Sequence, residues 1–308
     1  MLTDVTANLD FIEVKDDLVI RRAADEWKNV CGRRLQNRYG EVQLDNLDRK
    51  LDFHSKEHSL GVAERVGKIV EVLRGAGVDV TERDEILLGM KAMAHDLVQD
   101  WEEGVKEGGV VVRVRSRDNE KYSAEELGVF MKSFNKKNPG MFTDEEIASA
   151  HDIDCTSAGW DPRHGTAWQP GLIEELPLQA KILAIADLLE PGFDPEAYMK
   201  NGMALFREDN VDITRFVRDG DLGTLSPEFR EKWEKRMRTW IKGQETYAKG
   251  RYTRFKEKEA GLFGEQAGKA LIEATSSGFE KSIEMAAERS NRVDDMDFEG
   301  LLREVGYK

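Results

Sequence analysis

The stretch from Leu51 to Gly75, LDFHSKEHSLGVAERVGKIVEVLRG, shows the character of most of the chain. From His58 onward its apolar residues recur at steps of three and four, the spacing of one face of an amphipathic α-helix. The members of this face are Val62, Val66, Ile69 and Leu73. His58 shares the face and lies one turn after His54, although the chain has only five histidines. We therefore expect an inward-facing His58 at the start of a helix, with His54 beside it.

Helical spacing continues along most of the chain, and proline is rare, with 7 residues among 308. Thr81 with Asp84, and Thr143 with Glu146, have the spacing of capping boxes and predict helix starts. Residues 108–116, GGVVVRVRS, instead alternate and predict a short strand or hairpin arm. The fold class predicted is all-α: a helical bundle with a helical C-terminal extension.

We expect three parts of the chain: an N-terminal helical segment (1–45), a helical domain (46–195) and the extension (196–308). The extension carries a long helix, interrupted at Gly243 or Gly250, with aromatic residues spaced along one side. These are Phe229, Trp233, Trp240 and Tyr247. Because such a stripe must be covered, we expect it to pack on the helical domain, with self-association as a second alternative and base stacking as a weaker one.

Composition excludes several classes of protein. Hydrophobic residues make up 40% and charged residues 34%, so the chain can bury a core. A net charge of −14 disfavours nucleic-acid partners. Cys31 and Cys155 lack CxxC spacing and fit a reducing compartment. Neither a signal-peptide pattern nor an apolar run of about 18 residues is present, so a cytoplasmic protein without membrane contact is expected.

Polar residues on apolar helix faces predict the site. His58, the pair His95-Asp96, and Asp187 in AKILAIADLLE all interrupt such faces. A buried carboxylate without a partner costs several kcal/mol or takes up a proton. Two histidines and two aspartates together offer the nitrogen and oxygen ligands of a divalent metal, which we expect to be Mn, Mg, Fe or Co.

This order of residues resembles the HD superfamily of metal-dependent phosphohydrolases, over roughly residues 52–190. The opening FHSKEH (53–58) is similar to the YHNxxH motif of many members, and RDNEKYSAEEL (117–127) looks like the DNExxSA motif of small bacterial HD proteins. The resemblance implies that His58 binds metal, that His54 protonates a leaving group, and that Glu120 lies near the metal or its water. His151 lies where binuclear members carry an extra ligand, whereas His164 is expected on the surface.

Two departures from the family matter. Gln99 stands where many members have a glutamate that activates water, so only Asp100 keeps a carboxylate there. The HHExxDGxGYP signature of cyclic-di-GMP hydrolases is absent. With Asp100 or Glu120 orienting water, the expected function is hydrolysis of a phosphate ester of a nucleotide or related small molecule. A di-iron oxygenase, favoured if His151 is a ligand, and a non-catalytic metal sensor or scaffold are the alternatives.

Basic side chains near the motif residues could bind the phosphate of such a substrate. Lys56, Arg65 and Lys91 are the candidates, on sequence proximity alone.

Overall fold

A computed structural model describes residues 5–40, 49–106 and 110–307, with side chains from residue 18 onward and without that of Lys106. The described chain is mostly helical, with 73% helix in twelve α-helices, and it carries two small hairpins. The expectation of an all-α protein is thus confirmed for most of the chain and incomplete at the hairpins. Among the described residues, no helix has both the length and the apolar composition needed to cross a membrane.

Twelve helices are present in the described residues. They are α1 Val5–Tyr39, α2 Lys56–Gly75, α3 Glu82–Ala94, α4 Asn119–Lys137, α5 Asp144–Ala148, α6 Leu178–Leu188, α7 Glu190–Phe193, α8 Pro195–Asp209, α9 Val211–Asp219, α10 Pro227–Arg254, α11 Glu265–Val293 and α12 Phe298–Glu304. Short 3₁₀ turns lie at Ser149–Thr156, Leu222–Thr224 and Ala260–Phe263, and a π-turn lies at Phe255–Glu259. Both predicted capping boxes are present at the starts of α3 and α5.

Two antiparallel hairpins interrupt the helices. Strands β1 Trp101–Lys106 and β2 Val110–Arg115 pair with Trp101 opposite Arg115, which confirms the strand expected from the alternating pattern. Strands β3 Gly159–Asp161 and β4 Thr166–Trp168 pair in a second hairpin that was not predicted from the sequence. Strands of three residues are too short to show alternation, so the sequence offered no signal for this second hairpin.

The main hydrophobic core is shared by both ends of the chain. It contains Trp27 of α1, Val66 of α2 and Leu183 of α6, together with Leu271 and Phe279 of α11, all fully or almost fully buried. Helix α11 of the extension therefore packs against α2 and α7 of the helical domain, as expected. Its last helices add a second cluster, in which Trp233 and Met237 of α10 contact α12 residues.

Helix α10 runs without a break through Gly243 and Gly250, contrary to the interruption expected there. Trp233 is buried, Trp240 donates its indole N–H to the Gly202 carbonyl oxygen at 2.8 Å, and Tyr247 stacks on Tyr198. The partners in these contacts all lie in residues 196–308, so the extension itself covers much of the stripe, whereas we expected the stripe to pack on the helical domain. Phe229, at 49% exposure, is the exception.

A close approach joins α10 to the second hairpin. A Cβ atom at Gly250 would overlap the carbonyl oxygen of His164, so only glycine allows the helix and the hairpin to lie this close. The π-turn that follows α10 directs Glu259 back onto Arg251 in a buried ion pair. Arg254 contacts Asp161 and lies over the Trp168 ring at 4.6 Å, which ties the hairpin to α10.

Candidate metal centre

Four side chains from three parts of the chain form a ring of alternating nitrogen and oxygen atoms. His58 of α2 lies with its Nε2 3.4 Å from Asp96 Oδ2 and 3.5 Å from Asp187 Oδ1. His95, directly after α3, lies with its Nε2 3.0 Å from the same Asp96 oxygen and 3.5 Å from the same Asp187 oxygen. The structure thus brings together the four residues predicted to bind metal, and His58, His95 and Asp96 form a buried group that could hold a metal ion.

The spacing of the ring fits a metal ion. Donor atoms around an ion at about 2.1 Å are separated from their neighbours by about 3.0–3.4 Å, and the ring separations are 3.0–3.5 Å. Both imidazoles are buried, and neither Nε2 has a hydrogen-bond partner among the described residues. Since an unpaired buried nitrogen costs about 1–3 kcal/mol, a cation held between the two nitrogens and the two carboxylates could offset that cost.

Other hydrogen bonds hold the ring residues in orientation. The Nδ1 atom of His95 lies 2.7 Å from the Ala92 carbonyl oxygen, which leaves the Nε2 lone pair for the ring. Gln99 donates its amide to the second oxygen of Asp96 at 2.8 Å, and Gln169 donates to the second oxygen of Asp187 at 3.1 Å. Gln169, which follows β4, was not predicted.

The ring residues shift one another's pKa. Burial would lower the pKa of His58, but Asp187 and Asp96 outweigh it and raise that pKa. The pKa of His95 is raised well above its ordinary value against the same effect of burial, chiefly by Asp96. Burial would raise the pKa values of Asp96 and Asp187, but the neighbouring histidines hold both well below the ordinary value. Protons and a metal ion would therefore compete for the same nitrogen lone pairs.

His54 lies beside the ring, where the resemblance places the proton donor. Its imidazole is 6.2 Å from that of His58, centroid to centroid, and it is 4% exposed. Its Nδ1 is paired with Glu208 of α8, a residue that was not predicted. His54 also helps to lower the pKa of Asp96, which shows that the two side chains are electrostatic neighbours.

Glu120 and Asp100, the two carboxylates predicted to orient water, lie in different environments. Glu120 is buried at the start of α4, and burial raises its pKa despite the nearby Arg115. Arg115 of β2 lies 3.4 Å from Asp96 and 3.7 Å from Glu120, so it links Glu120 to the ring. Asp100 is exposed, and its backbone is held by Asn119 through bonds of 2.9 Å and 3.1 Å.

The other two histidines lie outside the ring. His151 has a side chain 53% exposed that pairs with Asp154 at 3.3 Å, so the structure does not bring it to the other ligands. His164 was expected on the surface, but its side chain is only 13% exposed and bonds to Asp161 at 2.8 Å. The ion pair of Asp161 with Arg254 explains this burial, since it seats the hairpin on α10.

Two of the basic residues suggested for phosphate binding are engaged elsewhere. Arg65 is buried and donates to the Ala186 carbonyl oxygen at 2.6 Å and to Glu190 at 3.2 Å, which braces α2 against α6 and α7. Lys91 is buried against Asp152 at 2.6 Å. Lys56 is exposed and lies against Gly32 of α1. Arg115, which was not predicted, is the described cation that touches a ring residue.

No protein-family model, curated protein or solved structure matches the chain. The chemistry of the site residues is therefore the basis for a functional proposal. Two imidazoles and two carboxylates suit a divalent metal of the first transition row, and a buried histidine beside them suits proton transfer.

Proposed function

We propose that the protein is a metal-dependent phosphohydrolase with an HD-type site, acting on a phosphate ester of a nucleotide or a related small molecule. One observation carries the proposal: two buried imidazole Nε2 atoms without hydrogen-bond partners among the described residues face two carboxylate oxygens, with His54 beside them. His58, His95, Asp96 and Asp187 would hold a divalent ion such as Mn²⁺. When bound, such an ion lowers the pKa of water and polarises a phosphoryl oxygen.

The protein's own residues would supply the remaining steps. A water oxygen bonds to phosphorus while the bond from phosphorus to the leaving oxygen breaks, and the electron pair of that bond goes to the leaving oxygen. His54, in its form protonated on both nitrogens, gives this oxygen the proton from Nε2. Glu120, whose pKa is raised by burial, orients the water and accepts its proton. Arg115 offers a partly exposed guanidinium to the phosphoryl oxygens.

Elemental analysis and phosphate release test the proposal together. We expect purified protein to carry a divalent metal and to hydrolyse p-nitrophenyl phosphate or bis-p-nitrophenyl phosphate with Mn²⁺. His95→Ala should lose metal, and it should lose activity by more than the roughly 10–100-fold that loss of a supporting hydrogen bond costs.

His151→Ala is the matched control, because it removes an exposed imidazole from the same protein. It should keep both metal and activity. Wild-type protein without metal, together with His95→Ala of unchanged thermal stability, would overturn the metal centre. Metal-loaded protein that hydrolyses neither ester nor a panel of nucleotides would instead favour a non-catalytic metal sensor.

A further inference from the structure

Glu208 is a buried carboxylate that makes three contacts with two consecutive residues. One oxygen pairs with Nδ1 of His54. The other accepts the backbone N–H of Phe53 at 2.9 Å and that of His54 at 3.2 Å. Glu208 lies near the end of α8, 154 residues after His54. Through Glu208, α8 thus contacts the segment that precedes α2.

Burying this carboxylate needs compensation, and the three donors provide it. An ionised group taken out of water costs several kcal/mol unless it is paired and hydrogen-bonded. Burial would raise the pKa of Glu208, but His54 and the Phe53 N–H hold it at about 2. The group is therefore a carboxylate at neutral pH, and it fixes both the backbone and the ring of His54.

A carboxylate at Nδ1 decides which nitrogen of an imidazole is free. A neutral imidazole carries its hydrogen on either nitrogen, and an acceptor at Nδ1 selects the Nδ1–H form. When the ring is protonated, the same carboxylate stabilises its charge. In both states Nε2 is the nitrogen left for a substrate.

We propose that Glu208 is a positioning residue that accepts the Nδ1–H of His54 in both protonation states and so presents Nε2, which carries the second hydrogen when the ring is protonated, to the leaving oxygen. The inference rests on the proposed function for the identity of the proton acceptor, whereas the pairing of Glu208 with His54 stands on its own. It makes α8, which lies beyond the residues that resemble the HD superfamily, part of the active site.

The test compares Glu208→Ala and Glu208→Gln with Asp52→Asn as the matched control. Asp52 pairs with Arg207 at 2.9 Å, so its loss loosens the same helix and segment without removing the acceptor of His54. ¹⁵N-histidine spectra of the full chain, recorded at a pH high enough to leave the ring neutral and with His54 assigned from His54→Gln, should show the Nδ1–H form in wild type and in Asp52→Asn. Glu208→Ala should lose it.

Leaving-group dependence supplies the second measurement. Phenol, with a pKa of about 10, leaves poorly without a proton, whereas the nitro group makes p-nitrophenol a better leaving group. Glu208→Ala should lower kcat for phenyl phosphate about 10–100-fold more than kcat for p-nitrophenyl phosphate, because general acid catalysis is worth about 10²–10⁴-fold. Metal content should not change, and Asp52→Asn should keep the wild-type ratio of the two substrates.

An unchanged His54 spectrum in Glu208→Ala would overturn the inference, as would an equal loss on both substrates. Wild-type protein inactive on both substrates would count against the proposed function alone, because the spectra still decide what Glu208 does to His54. If Glu208→Ala does not fold, Glu208→Gln keeps the size and one acceptor oxygen and is judged by the same two measurements, with a smaller loss expected.

Discussion

At the scale of single residues, two glutamines explain how two aspartates can point one oxygen each into the ring. Gln99 and Gln169 occupy the second oxygens of Asp96 and Asp187. In the sequence, Gln99 stands at a position where a glutamate could act as a base, and glutamine cannot. In the structure its amide is a donor to Asp96, and a glutamate at the same place would set two carboxylates against each other.

Asp209 is expected to be a destabilising residue at neutral pH. Burial, with help from the charge of Glu208, raises its pKa from 3.8 to about 6. A folded-state pKa above the unfolded value means that full stability is present below pH 3.8 and is lost as pH rises through about 6. Asp209→Asn should therefore stabilise the fold at pH 7.5 by up to about 2–3 kcal/mol, with the gain shrinking towards pH 4.

Urea unfolding at several pH values measures this difference. Asp295→Asn is the control, since Asp295 is exposed and its replacement should change stability by less than about 0.5 kcal/mol. A gain that does not depend on pH, or a loss at pH 7.5, would contradict the assignment of Asp209.

The ring residues could be predicted from the sequence, because each lies on an apolar helix face that periodicity reveals or just after the end of one. Glu208 and Gln169 could not. Glu208 stands in FREDN, where charged neighbours resemble a solvated surface, and Gln169 follows a strand too short to be recognised. Their partners lie 154 and 18 residues away, and pairing at such distances leaves no local pattern.

At the scale of elements, the second hairpin connects the extension to the ring. Arg254 and the tight contact at Gly250 hold β3–β4 on α10. Gln169 follows the hairpin and donates a hydrogen bond to Asp187. The π-turn after α10 contributes by turning Glu259 onto Arg251 and Arg254. Such turns within helices often occur near functional sites, and here the turn supports the segment that orients a ring residue.

Gly250→Ala should separate α10 from the hairpin. The added methyl group meets the carbonyl oxygen of His164, a backbone atom that cannot rotate away. We expect a loss of about 1–3 kcal/mol in unfolding free energy, and a weaker affinity for metal because Gln169 shifts. Calorimetric titration with Mn²⁺ and urea unfolding would measure the two effects.

Gly243→Ala makes the same change seven residues earlier in α10, where a Cβ meets nothing within 4 Å. It should stabilise the helix by up to about 1 kcal/mol, because alanine is the better helix former. If both variants shift stability in the same direction, the contact with His164 does not control the position of the hairpin.

At the scale of the whole molecule, the core does not follow the boundary expected near residue 195. Periodicity predicts that a helix has an apolar face but not which other face covers it. Leu271 and Phe279 of the extension complete the core that Val66 and Leu183 begin. The sequence could therefore predict the helices and the covered stripe, while the sharing of one core between distant segments needed the structure.

Removing residues 202–308 should therefore expose apolar surface and cause aggregation or loss of activity. Size-exclusion chromatography and near-UV circular dichroism of the shortened protein would measure this. Two point variants make a milder test. Phe279→Ala should lower the unfolding free energy by about 3–5 kcal/mol. Phe229→Ala is the control, because Phe229 is 49% exposed and its loss should lower that free energy by less than about 0.5 kcal/mol. A shortened protein that stays monomeric, ordered and active would show that the extension is an independent module.

The order of the ring residues along the chain has a consequence during synthesis. All four ring side chains have left the ribosome once Asp187 emerges, before α10 and α11 have emerged. At about 5–20 residues per second, synthesis of residues 188–308 takes on the order of ten seconds. A metal ion that entered in this interval would meet the ligands before Glu208 and the second core cluster surround them. The choice of metal would then depend on which ions the cell supplies at that moment, since ligand affinity alone favours the late transition metals.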